Sequence, residues 1–152
     1  MAVFNLAPYS FFNTVSSEPP LVMISTGLRS DGRPKDTREN VKQRQDFLIH
    51  IASVAQLEDL NASSATLSAG ESEVAHLGLT TVPLAGSRLP RLKDARVVFV
   101  RTLHGENHNI GGNTTSMILG RVRGFIWMMR WLAAILKAED RSMQIEFTQS
   151  DD

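Results

Sequence analysis

The sequence contains no cysteine. That excludes disulfides, thiolate metal centres and cysteine nucleophiles, and it fits a cytosolic setting. Net charge is missing too, since 16 Lys plus Arg balance 16 Asp plus Glu. A balanced surface has no long-range pull toward nucleic acid or an anionic membrane, and little repulsion to oppose a homodimer. No apolar run is long enough to cross a bilayer. The most apolar stretch, Phe125 to Leu136, falls well short of the ~20 residues required and contains Arg130. The first residues, MAVFNLAPYSFF, lack the basic region and apolar core of a signal peptide. Without one, the glycosylation patterns at Asn61-Ala62-Ser63 and Asn113-Thr114-Thr115 read as coincidence. Gly-x-Ser-x-Gly, Walker and Rossmann fingerprints are absent, as are internal repeats and low-complexity tracts.

What is present suits one globular domain: 152 residues, 42% of them hydrophobic and 21% charged. Residues 9–16 (YSFFNTVS) have the aromatic and β-branched composition of a strand. Ser17-Glu18-Pro19-Pro20 breaks it, and Leu21 to Thr26 (LVMIST) reads as a second, buried strand that completes a hairpin. Gly27 to Pro34 is punctuated as a loop. A helix is predicted from near Asp36, with Asp36 as N-cap and Glu39 closing a capping-box-like pattern. Asp46 to Ala52 is strand-like. Ser53 to Ala65 reads as helix, with Val54, Leu57 and Leu60 at helical spacing and Ser53 as its cap. Ser68 to Arg91 is mostly loop with short elements. Ala95 to Leu103 is a strand, Gly105 to Asn113 a glycine- and asparagine-rich hairpin turn, and Thr115 to Phe125 the partner strand. Trp127 to Ala138 suits a helix better than a strand. Strands joined by hairpins predict a mainly β fold, an antiparallel sheet or barrel with a few helices.

The chemistry concentrates between Asn5 and Asn40. Ser10, Asn13, Ser25, Thr26, Lys35 and Thr37 are hydrogen-bonding or cationic, and the segment ends on a helix start. That arrangement suits a phosphate with a flat ring beside it. At Arg33-Pro34-Lys35-Asp36-Thr37, free amides, the Lys35 charge and the Thr37 hydroxyl make the best anion site. The plainer reading is that Asp36 caps a helix while Lys35 and Arg33 are solvated, and spacing by itself favours it. Ser10, Phe11, Phe12 and Asn13 suit a ring-binding cleft, although pattern by itself favours a half-buried strand with core aromatics. His104, Glu106 and His108 superficially resemble a metal cluster. They fall in the predicted turn without any ligand motif, so no metal site is expected. His50 and His76 are isolated and read as structural. These spacings assign no catalytic acid, base or nucleophile.

NLAPYSFFNTVSSEPPLVMIS, followed by KDTREN, resembles the flavin reductase-like family, the FMN-binding split barrels that include flavoredoxins. The resemblance continues through DFLIHIAS, LNASSA and SEVAHLGLT to LPRL. It weakens over ARVVFVRTL and TSMILGRVRG, and so covers residues 4–124. It implies an antiparallel split β-barrel, usually a homodimer, with FMN near the subunit interface. On matching positions it implies Ser10, Phe11, Phe12 and Asn13 beside the isoalloxazine ring and ribityl chain. Ser25 and Thr26 would end the second strand near the flavin, and Lys35, Asp36 and Thr37 would approach the phosphate. Asp36 is expected to cap the helix rather than touch the phosphate, because two anions repel. The implied reaction is reduction of FMN by NADH or NADPH, with a partner oxygenase or another acceptor taking the electrons.

Two departures from the family pattern bear on this. Family members carry a strand ahead of the NLAPYS-like segment, so the barrel is expected to be incomplete at its N-terminus, with an exposed edge. After Gly124 the family continues with a polar, acidic segment, which FIWMMRWLAAILKAEDRSMQIEF does not resemble. Residues 125–152 are therefore expected to form a divergent, partly helical segment, as in a truncated or altered-frame product. The alternative these departures favour is a non-catalytic split-barrel remnant that dimerises or binds flavin weakly. A pyridoxamine-phosphate-oxidase-like barrel is a weaker third option.

Overall fold

The computed structural model describes residues 4–65, 67–68, 70–110, 112 and 114–127. The first hairpin forms, although its first strand starts at Phe12 rather than Tyr9. Strands β1 (Phe12–Ser17) and β2 (Pro20–Thr26) pair antiparallel, with Phe12 opposite Ile24 and a register shift between Thr14 and Ser16. Along β2, Val22, Ile24 and Thr26 are buried while Leu21, Met23 and Ser25 are half-buried, the two-residue period of a strand with one core face.

Helix α1 (Asp36–Arg44) is polar apart from Val41, which is buried. Asp36 and Glu39 in its first turn and Lys42 and Arg44 in its last complement the helix dipole. Its cap differs from the one expected. Lys35 is the N-cap residue, extended and without a side-chain cap, and Asp36 is the first helical residue. The Asp36 carboxylate is taken by Arg29, held nearby by the turn in which the Arg29 amide donates to the Arg33 carbonyl at 2.8 Å. Asp36 therefore acts on the helix through its charge rather than through a capping hydrogen bond.

The remaining elements are β3 (Asp46–Ile51), α2 (Leu57–Ala62), α3 (Glu73–His76), β4 (Thr81–Val82), β5 (Arg91–Leu92), β6 (Val97–Ile110) and β7 (Thr115–Trp127). The main sheet runs β1-β2-β7-β6-β3 with every pairing antiparallel, and β4 and β5 form a separate ribbon. This is the mainly β, split-barrel arrangement expected. Among the described residues β1 and β3 are its free edges.

Two cores explain the unbroken apolar runs in FLI and VVFV. On one face Ile24, Val41, Phe47 and Ile118 pack with Tyr9, Phe12, Ile49 and Leu103. On the other, Leu84, Ala95 and Val98 pack with Leu48, Leu92, Val100 and Ile126. Phe47, Leu48 and Ile49 of β3 and residues 97–100 of β6 thus lie between the two cores, so neither stretch shows polar alternation. Gly120 faces the first core: a Cβ there would lie 2.6 Å from Phe47 Cζ.

Three expectations change. The predicted turn at Gly105 to Asn113 is strand as far as Ile110, with Gly105 opposite Leu119, Asn107 opposite Met117, and register shifts absorbing the extra residues. The apolar, β-branched residues of β7 supply backbone partners, and pairing overrides the turn propensity of glycine and asparagine. The helix expected over Ser53 to Ala65 is a 3-10 turn (Val54–Gln56) followed by α2. Ser53 does mark the start: its amide and hydroxyl donate to Gln56 Oε1 at 3.0 and 3.1 Å. Val54, Leu57 and Leu60, however, remain exposed rather than joining either core. Finally, Trp127 is the last residue of β7, and the rest of the helix expected to Ala138 lies outside the described residues. No helix among the described residues is long and apolar enough to cross a membrane.

Candidate flavin site

Tyr9 joins the pieces that the sequence holds apart. Its ring packs against the first core, and its hydroxyl lies against those of Thr26, at the end of β2, and Thr37, in the first turn of α1. Burial pushes the Tyr9 hydroxyl pKa up, while the two threonine hydroxyls pull it down and the Asp36 charge adds a small upward push. The Tyr9 oxygen is buried and has no hydrogen-bond partner of normal geometry among the described residues. Both threonine protons are used elsewhere: Thr26 Oγ1 donates to the Gly27 carbonyl at 3.2 Å and Thr37 Oγ1 to Asn5 Oδ1 at 3.0 Å.

The nine expected cofactor residues fall into two adjoining groups. Ser10, Phe11, Phe12 and Asn13 lie beside Ser25 and Thr26, because β1 and β2 pair and the Ser25 amide donates to the Phe11 carbonyl at 3.0 Å. Phe11 is 73% exposed, an uncovered aromatic face, whereas Phe12 turns inward with its ring 6.2 Å from that of Phe99. Asn13 is exposed, and its Oδ1 accepts the Thr14 amide at 2.9 Å. Lys35, Asp36 and Thr37 form the second group, tied to the first through Tyr9.

At the start of α1, Arg38 and Glu39 donate their amides to the Lys35 carbonyl at 3.0 and 3.3 Å. The amides of Asp36 and Thr37 precede any intrahelical acceptor and stay available, as at any helix start. Lys35 is exposed and makes no ion pair among the described residues. A phosphate monoester fits this donor set, and an aromatic ring system fits beside Phe11. Behind the site, a hollow of about 780 Å³ opens between the N-terminal segment, α1 and β3. Of the nine residues only Phe12 and Thr37 line it; its apolar wall also includes Tyr9, Ile24, Val41, Phe47 and Ile49.

Away from this site, Glu106 and His50 have structural explanations and Arg101 is an exception. Glu106 lies within β6 and pairs with Arg38 of α1, and no metal-ligating cluster exists among the described residues. His50 accepts the Leu92 amide on Nε2 at 3.2 Å; burial, helped by the Arg91 charge, pushes its pKa down to about 4. The exception is Arg101, which is 1% exposed. Its guanidinium lies 4.4 Å over the Phe99 ring, and none of its nitrogens has a hydrogen-bond partner among the described residues. Burial lowers its pKa to about 10.

A comparison with known families matches residues 2–130 to the flavin reductase like domain. The chain belongs to this family. Among its relatives, the Bacillus subtilis protein YwrF is 38% identical over 121 residues, which is 78% of this chain and 58% of that protein. Among solved structures, nitrilotriacetate monooxygenase component B from Bacillus cereus superposes with a TM-score of 0.75 at 29% identity, over 82% of this chain and 63% of that one. Flavoredoxin of Desulfovibrio vulgaris shares the fold, with a TM-score of 0.65 at 20% identity over 81% of this chain and 61% of that one. The chain spans about half the length of the curated relatives it matches.

Sequence reasoning missed Tyr9, Asn5, Glu73 and Arg101. The first two lie inside the NLAPYS motif, so the signal was in hand without its geometry. Glu73 bonds Asn5 across 68 residues, and no local pattern announces that contact.

Proposed function

We propose that this flavin reductase-like chain binds FMN across the β1–β2 hairpin and the start of α1, and that the flavin is reduced there by NADH or NADPH. The observation that carries the reading is the α1 start. Two amides without intrahelical acceptors and a lysine with no ion pair among the described residues are joined through Tyr9 to the polar end of β2, whose Ser25 pairs with the exposed Phe11. Lys35 supplies charge to the phosphate while the Asp36 and Thr37 amides donate to it. Arg29 neutralises the Asp36 carboxylate, which reduces its repulsion of the phosphate. Ser10, Phe11, Phe12, Asn13, Ser25 and Thr26 border the ring and its ribityl chain. A bound flavin supplies the hydride and electron transfer, so the protein needs no acid–base pair of its own.

We further read the working form as a cytosolic homodimer that passes reduced flavin to an oxygenase or similar acceptor. The likeness to a monooxygenase component supports the second part. The test is to titrate the purified chain with FMN, following quenching of flavin fluorescence, and then to measure oxidation of NADH and NADPH. Saturable binding with nucleotide oxidation is expected. Binding without turnover would favour the non-catalytic remnant, and failure to bind FMN would overturn the reading.

A further inference from the structure

A buried carboxylate that the phosphate reading does not use clamps the N-terminal segment. Glu73, the first residue of α3, is 8% exposed. It accepts the Leu6 amide at 2.9 Å, and Asn5 Nδ2 donates to its two oxygens at 3.3 and 3.4 Å. Asn5 Oδ1 accepts the Thr37 hydroxyl at 3.0 Å. Next to Glu73, Ser72 Oγ donates to the Phe4 carbonyl at 2.6 Å. A continuous polar chain therefore links α3, the N-terminal segment and the first turn of α1.

The direction of each bond matters. The Leu6 amide and the Asn5 amide nitrogen are both donors; Glu73 Oε2 accepts from both, and Oε1 gives Asn5 a second acceptor that only a carboxylate supplies at this position. With its side-chain nitrogen spent on Glu73, Asn5 turns its oxygen to Thr37 and accepts the hydrogen bond from that hydroxyl. Thr37 then offers a phosphate only its backbone amide. The helix start can serve as an anion site only if that amide is held in place, and Glu73 begins the chain that holds it. The Tyr9 hydroxyl, buried and without a partner of normal geometry among the described residues, stands against the same threonine as a further donor.

We propose that Glu73 is a positioning residue for the flavin phosphate. Acting through Asn5 and Thr37, it sets the orientation of the α1 start and so the preference for a phosphorylated over an unphosphorylated flavin. This inference rests on the phosphate reading of α1 given above.

The test compares FMN with riboflavin, which has the same ring and no phosphate, in the full chain and in Glu73→Gln. Glutamine keeps the volume but replaces one of the two acceptor oxygens with an NH2, so Asn5 Nδ2 loses one acceptor and faces a donor in its place. The FMN dissociation constant should rise on the order of tenfold while that of riboflavin stays within about twofold. Thr37→Val, which removes only the hydroxyl link and leaves the buried volume unchanged, should shift the same ratio, and it answers the question should Glu73→Gln not fold. Equal weakening of both ligands would mean that Glu73 merely stabilises the fold, and no change in either would mean that the link is idle. Either result overturns the inference while leaving FMN binding by the unmodified chain intact. An unmodified chain that binds neither flavin overturns the functional reading and this inference together.

Discussion

Arg101→Met removes a charge that the fold buries without a hydrogen-bond partner among the described residues. The guanidinium is 1% exposed, and burial lowers its pKa to about 10. A shift of that size corresponds to ~3 kcal/mol charged against the cationic form in the folded chain. Contact with the Phe99 ring at 4.4 Å returns on the order of 1–2 kcal/mol. Methionine retains an unbranched apolar stem for Phe47, Phe99 and the space above Gly120, and it needs no hydrogen bonds. The substitution should therefore stabilise the chain by ~1–2 kcal/mol, in line with the gain seen when buried ions are replaced by apolar groups. For a chain of this size that raises the thermal midpoint by ~2–8 °C. The assay is thermal unfolding by circular dichroism at neutral pH and one fixed protein concentration, since self-association would shift the midpoint. The sign can be checked independently. A base whose folded pKa is depressed weakens the fold most while it is charged, below pH 10. The cost is relieved as pH rises through that value, so the gap between the two proteins should narrow under strongly alkaline conditions. A lower midpoint for Arg101→Met would refute the reasoning, because it would mean that the guanidinium is compensated.

Two further predictions concern the same sheet. Gly120→Ala places a Cβ 2.6 Å from Phe47 Cζ and 3.1 Å from Arg101 Cδ, so it should cost ~1–3 kcal/mol by overpacking. Gly124→Ala meets nothing within 4 Å and should be tolerated; urea midpoints that rank the two the other way would rule this out. His50 is held neutral with a pKa near 4, below its ordinary value, so its contribution is complete above pH ~6.5 and is lost as pH falls toward 4. Allowing for partial exposure, the loss is roughly 2 kcal/mol. His50→Gln should flatten the decline in urea midpoint between pH 7 and 4.5, and parallel declines in the two proteins would contradict the assignment.

Local chemistry determined a good deal of this protein before any contact was known. The apolar run LVMIST, the break at Pro19-Pro20 and the pattern of Asp36 and Glu39 point to a hairpin followed by a helix, and both are present. The same stretch identified the family. These properties depend on near neighbours in the chain, where backbone sterics and side-chain periodicity act directly. Tertiary structure decided the rest. Whether Gly105 to Ile110 turned or extended depended on β7 lying alongside. Whether Asp36 capped α1 depended on Arg29 reaching its carboxylate. Val54, Leu57 and Leu60 had the spacing of a core helix face and became surface, because periodicity states which residues share a side and not what covers it. The unpaired state of Arg101 and the run of bonds from Glu73 through Asn5 to Thr37 exist only once residues distant in sequence are packed together. Hydrogen bonding and desolvation are set by three-dimensional neighbours, and those the sequence does not display.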